Sequence, residues 1–209
     1  MGESTVPTSS DQNAKPMSEE ELRQVTVGNL KLHDAPITLV EYDSAWPALF
    51  AREAKRIIAA LGSRALQVEH IGSTSVPGLV AKPIIDILLV VADSGDEPSY
   101  VHDLERAGYV LRIREPEWHQ HRLFKGPDTN INLHVFTSRS LEIERVLILR
   151  DWLRNNQADR ELYAQTKRRL ADQKWKYAQN YADAKSKVVE TIILQARASR
   201  TTVNSDKPL

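Results

Sequence analysis

The stretch from Val68 to Val91, VEHIGSTSVPGLVAKPIIDILLVV, concentrates side chains that suggest chemistry. It contains His70, the small turn Gly72-Ser73-Thr74-Ser75, then Lys82, then Asp86 inside an otherwise apolar run. An acidic side chain in such a run is costly unless it is paired, hydrogen-bonded or bound to a metal. A glycine lets the backbone approach a ligand, and turn N–H groups and hydroxyls suit phosphate oxygens. An acid on the adjacent strand can hold a divalent cation that bridges those phosphates, and Lys82 can offset their charge. The combination suits nucleotidyl transfer. Glu69 and His70 alternate along a strand and face opposite sides. His70 has the parity of Gly72, so it is the one expected at the site.

These residues must be held by a fold. Ala65–Ile71 and Ile84–Val91 read as strands, the second fully buried. Ile37–Tyr42 is a further β-rich run. Asp43–Pro47 caps a helix whose apolar positions Leu49, Phe50, Ala54, Ile57, Ile58 and Leu61 recur at helical spacing until Gly62. Glu97–Ala107 reads as a helix, Tyr109–Ile113 as a strand and Arg114–Trp118 as a loop. His121–Lys125 and Ile131–Phe136 read as a hairpin around Gly126–Asn130. His119 and His121 stand two apart, and a solvated loop is preferred for them over a metal pair. Leu141–Asn155 and Asp159 to about Ala198 are helical, with Leu162, Leu170, Tyr177, Tyr181, Val188, Ile192 and Ile193 as the buried stripe of the second.

The sum is an α/β (α+β) fold: a mixed sheet flanked by helices, with a helical C-terminal third. The expected divisions are a disordered tail over 1–17, an extension with a short helix over 18–35, an α/β core over 36–139, a helical subdomain over 140–198 and a tail over 199–209. Ser18 and Glu21 form the capping box of the first helix.

The chain has 209 residues, and 41% hydrophobic content is enough to bury a core. Lys and Arg total 28, as do Asp and Glu, so no broad nucleic-acid surface is expected. The absence of cysteine excludes disulfides, thiolate zinc sites and Cys nucleophiles, and fits a cytoplasmic protein. No apolar run approaches about 18 residues, so no membrane partner is expected. The sequence is silent on oligomeric state.

The stretch from His70 to Ile87, HIGSTSVPGLVAKPIIDI, resembles the signature of the GrpB family, also called UPF0157. The resemblance extends to Val40–Pro47, to Arg122-Leu123-Phe124, to Asn132-Leu133-His134-Val135 and to Leu149–Arg154. It ends in the helix carrying Tyr163, Lys167, Tyr181 and Lys185, and spans roughly residues 36–196. It implies a nucleotidyltransferase-like fold, as in polymerase β and kanamycin nucleotidyltransferase. The ligand it implies is a nucleoside triphosphate or other phosphorylated small molecule, with a divalent metal (Mg, Mn or Zn).

The superfamily pattern places Asp, an apolar residue, then Asp or Glu after the Gly-Ser turn. Here it reads Asp86-Ile87-Leu88, and a histidine, His134, stands where a third carboxylate is expected. The resemblance therefore implies a single metal held by Asp86 and His134, with Glu69 or His70 as a further ligand. His70 or His134 completes coordination or acts as general base. Gly72, Ser73, Thr74 and Ser75 hold phosphates. Lys82, Arg122, Lys167, Tyr181 and Lys185 contact the ligand. One rival is a catalytically degenerate nucleotide or small-ligand binding module. Another is acid/base chemistry by the histidines in the same cleft.

Overall fold

The computed structural model describes residues 16–30, 32 and 36–205. Of the tail expected over 1–17, all but the last two positions lie outside the described residues. Met17 is anchored: its N–H donates to Asp183 Oδ2 at 3.1 Å, and its carbonyl accepts from Asn180. Helix α1 spans Glu19–Val25 with the expected capping box between Ser18 and Glu21.

Five strands follow: β1 (Gln67–Ile71), β2 (Ile85–Val91), β3 (Val110–Glu115), β4 (His121–Lys125) and β5 (Ile131–Thr137). They form one mixed sheet in the order β1-β2-β5-β4-β3, with β2 and β5 parallel and the other pairs antiparallel. Strand period sorts the side chains onto two faces. Ile85, Ile87, Leu89, Val91, Leu133, Val135 and Phe124 pack against α2 (Trp46–Leu61) and α3 (Val101–Arg106) in the main core. Each such fully buried side chain contributes about 1.5–3 kcal/mol relative to exposure. On the other face, Leu88, Val90 and Phe136 meet Ile143, Val146 and Leu147 of α4 (Leu141–Asn155). The sheet is thus covered on both faces, which is why β2 reads as a nearly unbroken apolar run.

Several elements differ from expectation. Ile37–Tyr42 forms no strand; Val40 makes a lone bridge with Ala81. The helix expected over 97–107 is a single 3₁₀ turn, Glu97–Ser99, followed by α3. Strand β3 runs on to Glu115, because β4 pairs with it as far as His121. The long C-terminal helix is three: α5 (Gln157–Ala171), α6 (Ala178–Asp183) and α7 (Ser186–Ser205). Trp175 fills the first break, its indole N–H donating to the Leu170 carbonyl at 2.8 Å. Leu162, placed in the buried stripe, is 44% exposed. Helix α7 extends through residues 199–205, so that part is not tail. Among the described residues no helix is long and apolar enough to cross a membrane.

Candidate functional site

The sheet face under α4 to α6 opens into a cleft of about 520 Å³. Its floor carries Asp86 from β2, Asn132 and His134 from β5, and Leu123 and Lys125 from β4. Gly72 to Thr74 and Lys82 line one wall, and Tyr163, Lys167, Tyr181 and Lys185 from the C-terminal helices line another. Leu22, Val25 and Thr26 of the N-terminal segment close a third side. That segment is tied to the edge of the sheet, with Val27 N–H donating to the Arg112 carbonyl at 2.8 Å.

Asp86 is the only carboxylate on β2 and sits at the centre of this floor. The register sets Asp86 beside Asn132 and Leu88 beside His134. Asn132 Nδ2 donates to Asp86 Oδ1 at 2.7 Å, and Lys125 Nζ donates to Asn132 Oδ1. His134 Nε2 lies 3.9 Å from the same Asp86 oxygen, too long for a direct hydrogen bond. Burial works to raise the Asp86 pKa, but His134, the Asn132 amide and Lys185 outweigh it and hold the carboxyl below its usual range. His134 Nδ1 faces His121 Nε2 at 3.0 Å, and His121 Nδ1 faces Glu115 Oε2 at 2.6 Å.

Gly72 leaves β1 at φ 67°, and the 3₁₀ turn Ser73–Ser75 follows. Lys167 Nζ donates to Ser73 Oγ at 3.0 Å and to the Val80 carbonyl. It also lies 4.8 Å from the Tyr163 ring centroid. Burial, with Lys185 and Arg168 nearby, brings Lys167 down to about 6. Lys82 and Lys185 flank the Tyr181 ring at 5.8 and 4.5 Å. Burial lowers both, as it lowers Lys125. The Tyr181 hydroxyl is buried with no hydrogen-bond partner among the described residues.

Of the residues expected at the site, Asp86, His134, Gly72, Ser73, Thr74, Lys82, Lys167, Tyr181 and Lys185 all border the cleft. The Thr74 hydroxyl is committed within the fold, donating to the Ile84 carbonyl at 3.2 Å. The Ser75 hydroxyl likewise donates to the Gly72 carbonyl at 2.6 Å.

Ser75, His70, Arg122 and Glu69 do not join them. His70 pairs with Ile87 and therefore points to the α2 side, where its ring stacks on Phe50 at 4.9 Å. Its Nε2 meets Thr74 Oγ1 at 3.0 Å, and burial drops its pKa to about 4. The parity argument fails because Gly72 lies beyond the strand end with left-handed backbone. Arg122 pairs with Val135 and shares that opposite face, where its Nε donates to Glu97 Oε1 at 2.6 Å. Glu69 is bound by Arg150 at 2.9 Å rather than turned to Asp86.

Residues 36–195 match the protein family described as GrpB protein. The chain belongs to the GrpB family. It is 62% identical over 193 residues to a UPF0157 protein of Halalkalibacterium halodurans, covering 92% of this chain and 99% of that one. It superposes on the crystal structure of a conserved GrpB protein from Enterococcus faecalis with a TM-score of 0.67. That pair is 33% identical and covers 78% of this chain and 99% of the other. Part of the chain is also 31% identical over 162 residues to a dephospho-CoA kinase of Mycobacterium tuberculosis, covering 64% of this chain and 39% of the kinase.

In this GrpB chain, sequence reasoning left Lys125, Glu115 and His121 out of the site. His121 is not in a solvated loop; it is 3% exposed in β4. The available signal was the period-2 set His121, Leu123 and Lys125, which shares a face with Asn132 and His134 once the hairpin register is fixed. Glu115 gave no such signal, because its approach depends on a bulge between Leu111 and Ile113. The assembled groups can hold an anion with amines and, beside it, a cation or proton between Asp86 and His134.

Proposed function

We propose that the cleft binds a nucleoside triphosphate, or another phosphorylated small molecule, and transfers its nucleotidyl group to an acceptor. The observation that carries this reading is the convergence of Lys82, Lys125, Lys167 and Lys185 on one carboxylate, Asp86. Amines held at lowered pKa by burial are stabilised in their charged form by an incoming anion. Ser73 and the turn after Gly72 meet phosphate oxygens, and the orphan Tyr181 hydroxyl supplies a further donor. Trp118, Phe136 and Tyr163 add aromatic wall suited to a base. The relative named for dephospho-CoA kinase supports a nucleotide ligand, since dephospho-CoA contains adenosine.

The nucleotidyltransferase likeness implies a divalent metal, Mg, Mn or Zn. Its donors are Asp86 Oδ1 and His134 Nε2, 3.9 Å apart. Among the described residues no group of three or more His, Cys, Asp or Glu forms a cage. Asp86 and His134 would hold such a cation through one carboxylate oxygen and one imidazole nitrogen. Such an ion neutralises charge at the reacting phosphate. The chain's own part is to orient the phosphates with Ser73 and Lys167, and to hold Asp86 ionised through Asn132.

A second reading has its own support. Leu88 occupies the second carboxylate position and is fully buried, so ligand binding without turnover fits the same cleft. Incubation with α-labelled nucleoside triphosphates, Mn²⁺ and small-molecule or protein acceptors separates the two. Pyrophosphate release with label transfer supports nucleotidyl transfer, and retained ligand without release supports the binding module. Neither binding nor release contradicts both.

A further inference from the structure

Glu115, His121 and His134 form a row across the adjacent strands β3, β4 and β5, and the row ends at Asp86 on β2. The separations are 2.6 Å from Glu115 Oε2 to His121 Nδ1, 3.0 Å from His121 Nε2 to His134 Nδ1, and 3.9 Å from His134 Nε2 to Asp86 Oδ1. Donor and acceptor roles along it are constrained. A carboxylate only accepts, so the His121 proton sits on Nδ1. With both rings neutral, as metal ligation requires and as holds at alkaline pH, His121 offers Nε2 as acceptor and His134 donates from Nδ1. The remaining nitrogen of His134, Nε2, carries a lone pair aimed at Asp86.

The surroundings keep His121 in this role. Its ring lies 4.8 Å from the Phe136 centroid and 5.2 Å from that of His134, both stacked, with Trp118 edge-on at 5.3 Å. The other end of the row is equally defined. Asp86 Oδ1 is an acceptor already engaged by the Asn132 amide. When His134 is neutral, two acceptors therefore face each other across 3.9 Å, an arrangement favourable around a cation, whereas a protonated His134 attracts Asp86 itself.

We infer that Glu115 and His121 are positioning residues that hold His134 protonated on Nδ1, so that its Nε2 and Asp86 Oδ1 present themselves as paired ligands for a divalent cation. The inference rests on the phosphate-binding reading of the cleft and deepens it. Metal-ligating histidines generally pass their other N–H to a second group that fixes the tautomer, and loss of that partner typically costs 10–100-fold in affinity. Here the second group is a histidine, itself oriented by a carboxylate.

The test uses the full chain without nucleotide. Nitrogen-15 NMR at pH 8.5, with His134 signals assigned from His134→Gln, reads the tautomer, and calorimetric titration with Mn²⁺ alone reads the site. Wild type should show His134 protonated on Nδ1 and bind Mn²⁺. His121→Phe, which keeps an aromatic ring beside Phe136, should move the proton toward Nε2 and weaken Mn²⁺ about tenfold or more. Glu115→Leu should behave likewise, while Glu115→Gln, which retains an acceptor, restores wild-type values. A wild-type His134 protonated on Nε2, absence of Mn²⁺ binding to wild type, or a His121→Phe protein with wild-type Mn²⁺ affinity overturns the inference. Each of these leaves the lysine cradle to its own titration with triphosphate.

Discussion

A Cβ placed on Gly72 would stand 2.8 Å from the Cβ of Asp86. The carboxylate at the centre of the cleft is therefore packed against a backbone that has no side chain. The Gly72 backbone, at φ 67° and ψ −172°, lies in a region essentially confined to glycine. Turn and carboxylate fix each other's positions.

Gly72→Ala consequently combines strain with a clash. It should cost about 2 kcal/mol in chemical denaturation and displace Asp86. Triphosphate binding should fall with it. A variant equal to wild type in both measurements would contradict this packing.

Lys167 should make ligand binding depend on pH. Its pKa of about 6 leaves it mostly neutral at pH 7.5, and a bound phosphate favours the charged form. Binding at that pH should take up protons, seen as binding heats that change with buffer ionisation enthalpy. At pH 5, where Lys167 is already charged, its uptake should vanish. Lys167→Met should remove most of the uptake at pH 7.5, and an unchanged uptake would place the proton elsewhere.

His70 should impose a different pH dependence, on stability. Burial lowers it from 6.5 to about 4, against the opposing pull of Asp86 and with the help of Arg154 and Arg150. The folded state favours the neutral ring, so this contribution is fully present above pH 6.5 and is lost as pH falls toward 4. It amounts to roughly 3 kcal/mol. His70→Gln keeps a donor for Thr74 and should flatten the stability curve between pH 6.5 and 4. An equally steep curve in the variant would remove His70 as its source.

Glu53 tests the opposite face of the sheet. It is fully buried on α2 and accepts from the Tyr109 hydroxyl at 2.8 Å and from Thr129 Oγ1 at 2.7 Å. Arg56 lies 3.3 Å away. Glu53→Ala strands the Tyr109 hydroxyl and should cost about 2 kcal/mol. Ligand affinity of the folded protein should be unchanged, because Glu53 lies outside the cleft. A loss of affinity in fully folded protein would contradict the separation of the two faces.

The strands and the turn after Gly72 were legible because they depend on local pattern: β2 is apolar except at Asp86, and Gly72 ends β1. The hairpin of β4 and β5 was legible for the same reason. What escaped depends on tertiary placement. Trp175 fills a helix break that contains neither Pro nor Gly, so no local signal marked it. Val40 is β-branched, yet it finds one bridging partner, Ala81, and no strand to extend along. Arg122 and His70 are each one position away from facing Asp86, and period 2 sends both to the far side. Glu115 and His121 enter the site only through the strand order and the bulge in β3.

The proposed uptake of a nucleoside triphosphate rests on the four cleft lysines. Calorimetric titration of the full chain with each of the four nucleoside triphosphates and Mn²⁺, beside Lys167→Met, tests it most directly. Saturable one-site binding that Lys167→Met weakens at least about tenfold, the scale of one charged hydrogen bond, is the predicted result. No saturable binding of any triphosphate, or wild-type affinity in a folded Lys167→Met protein, would contradict it.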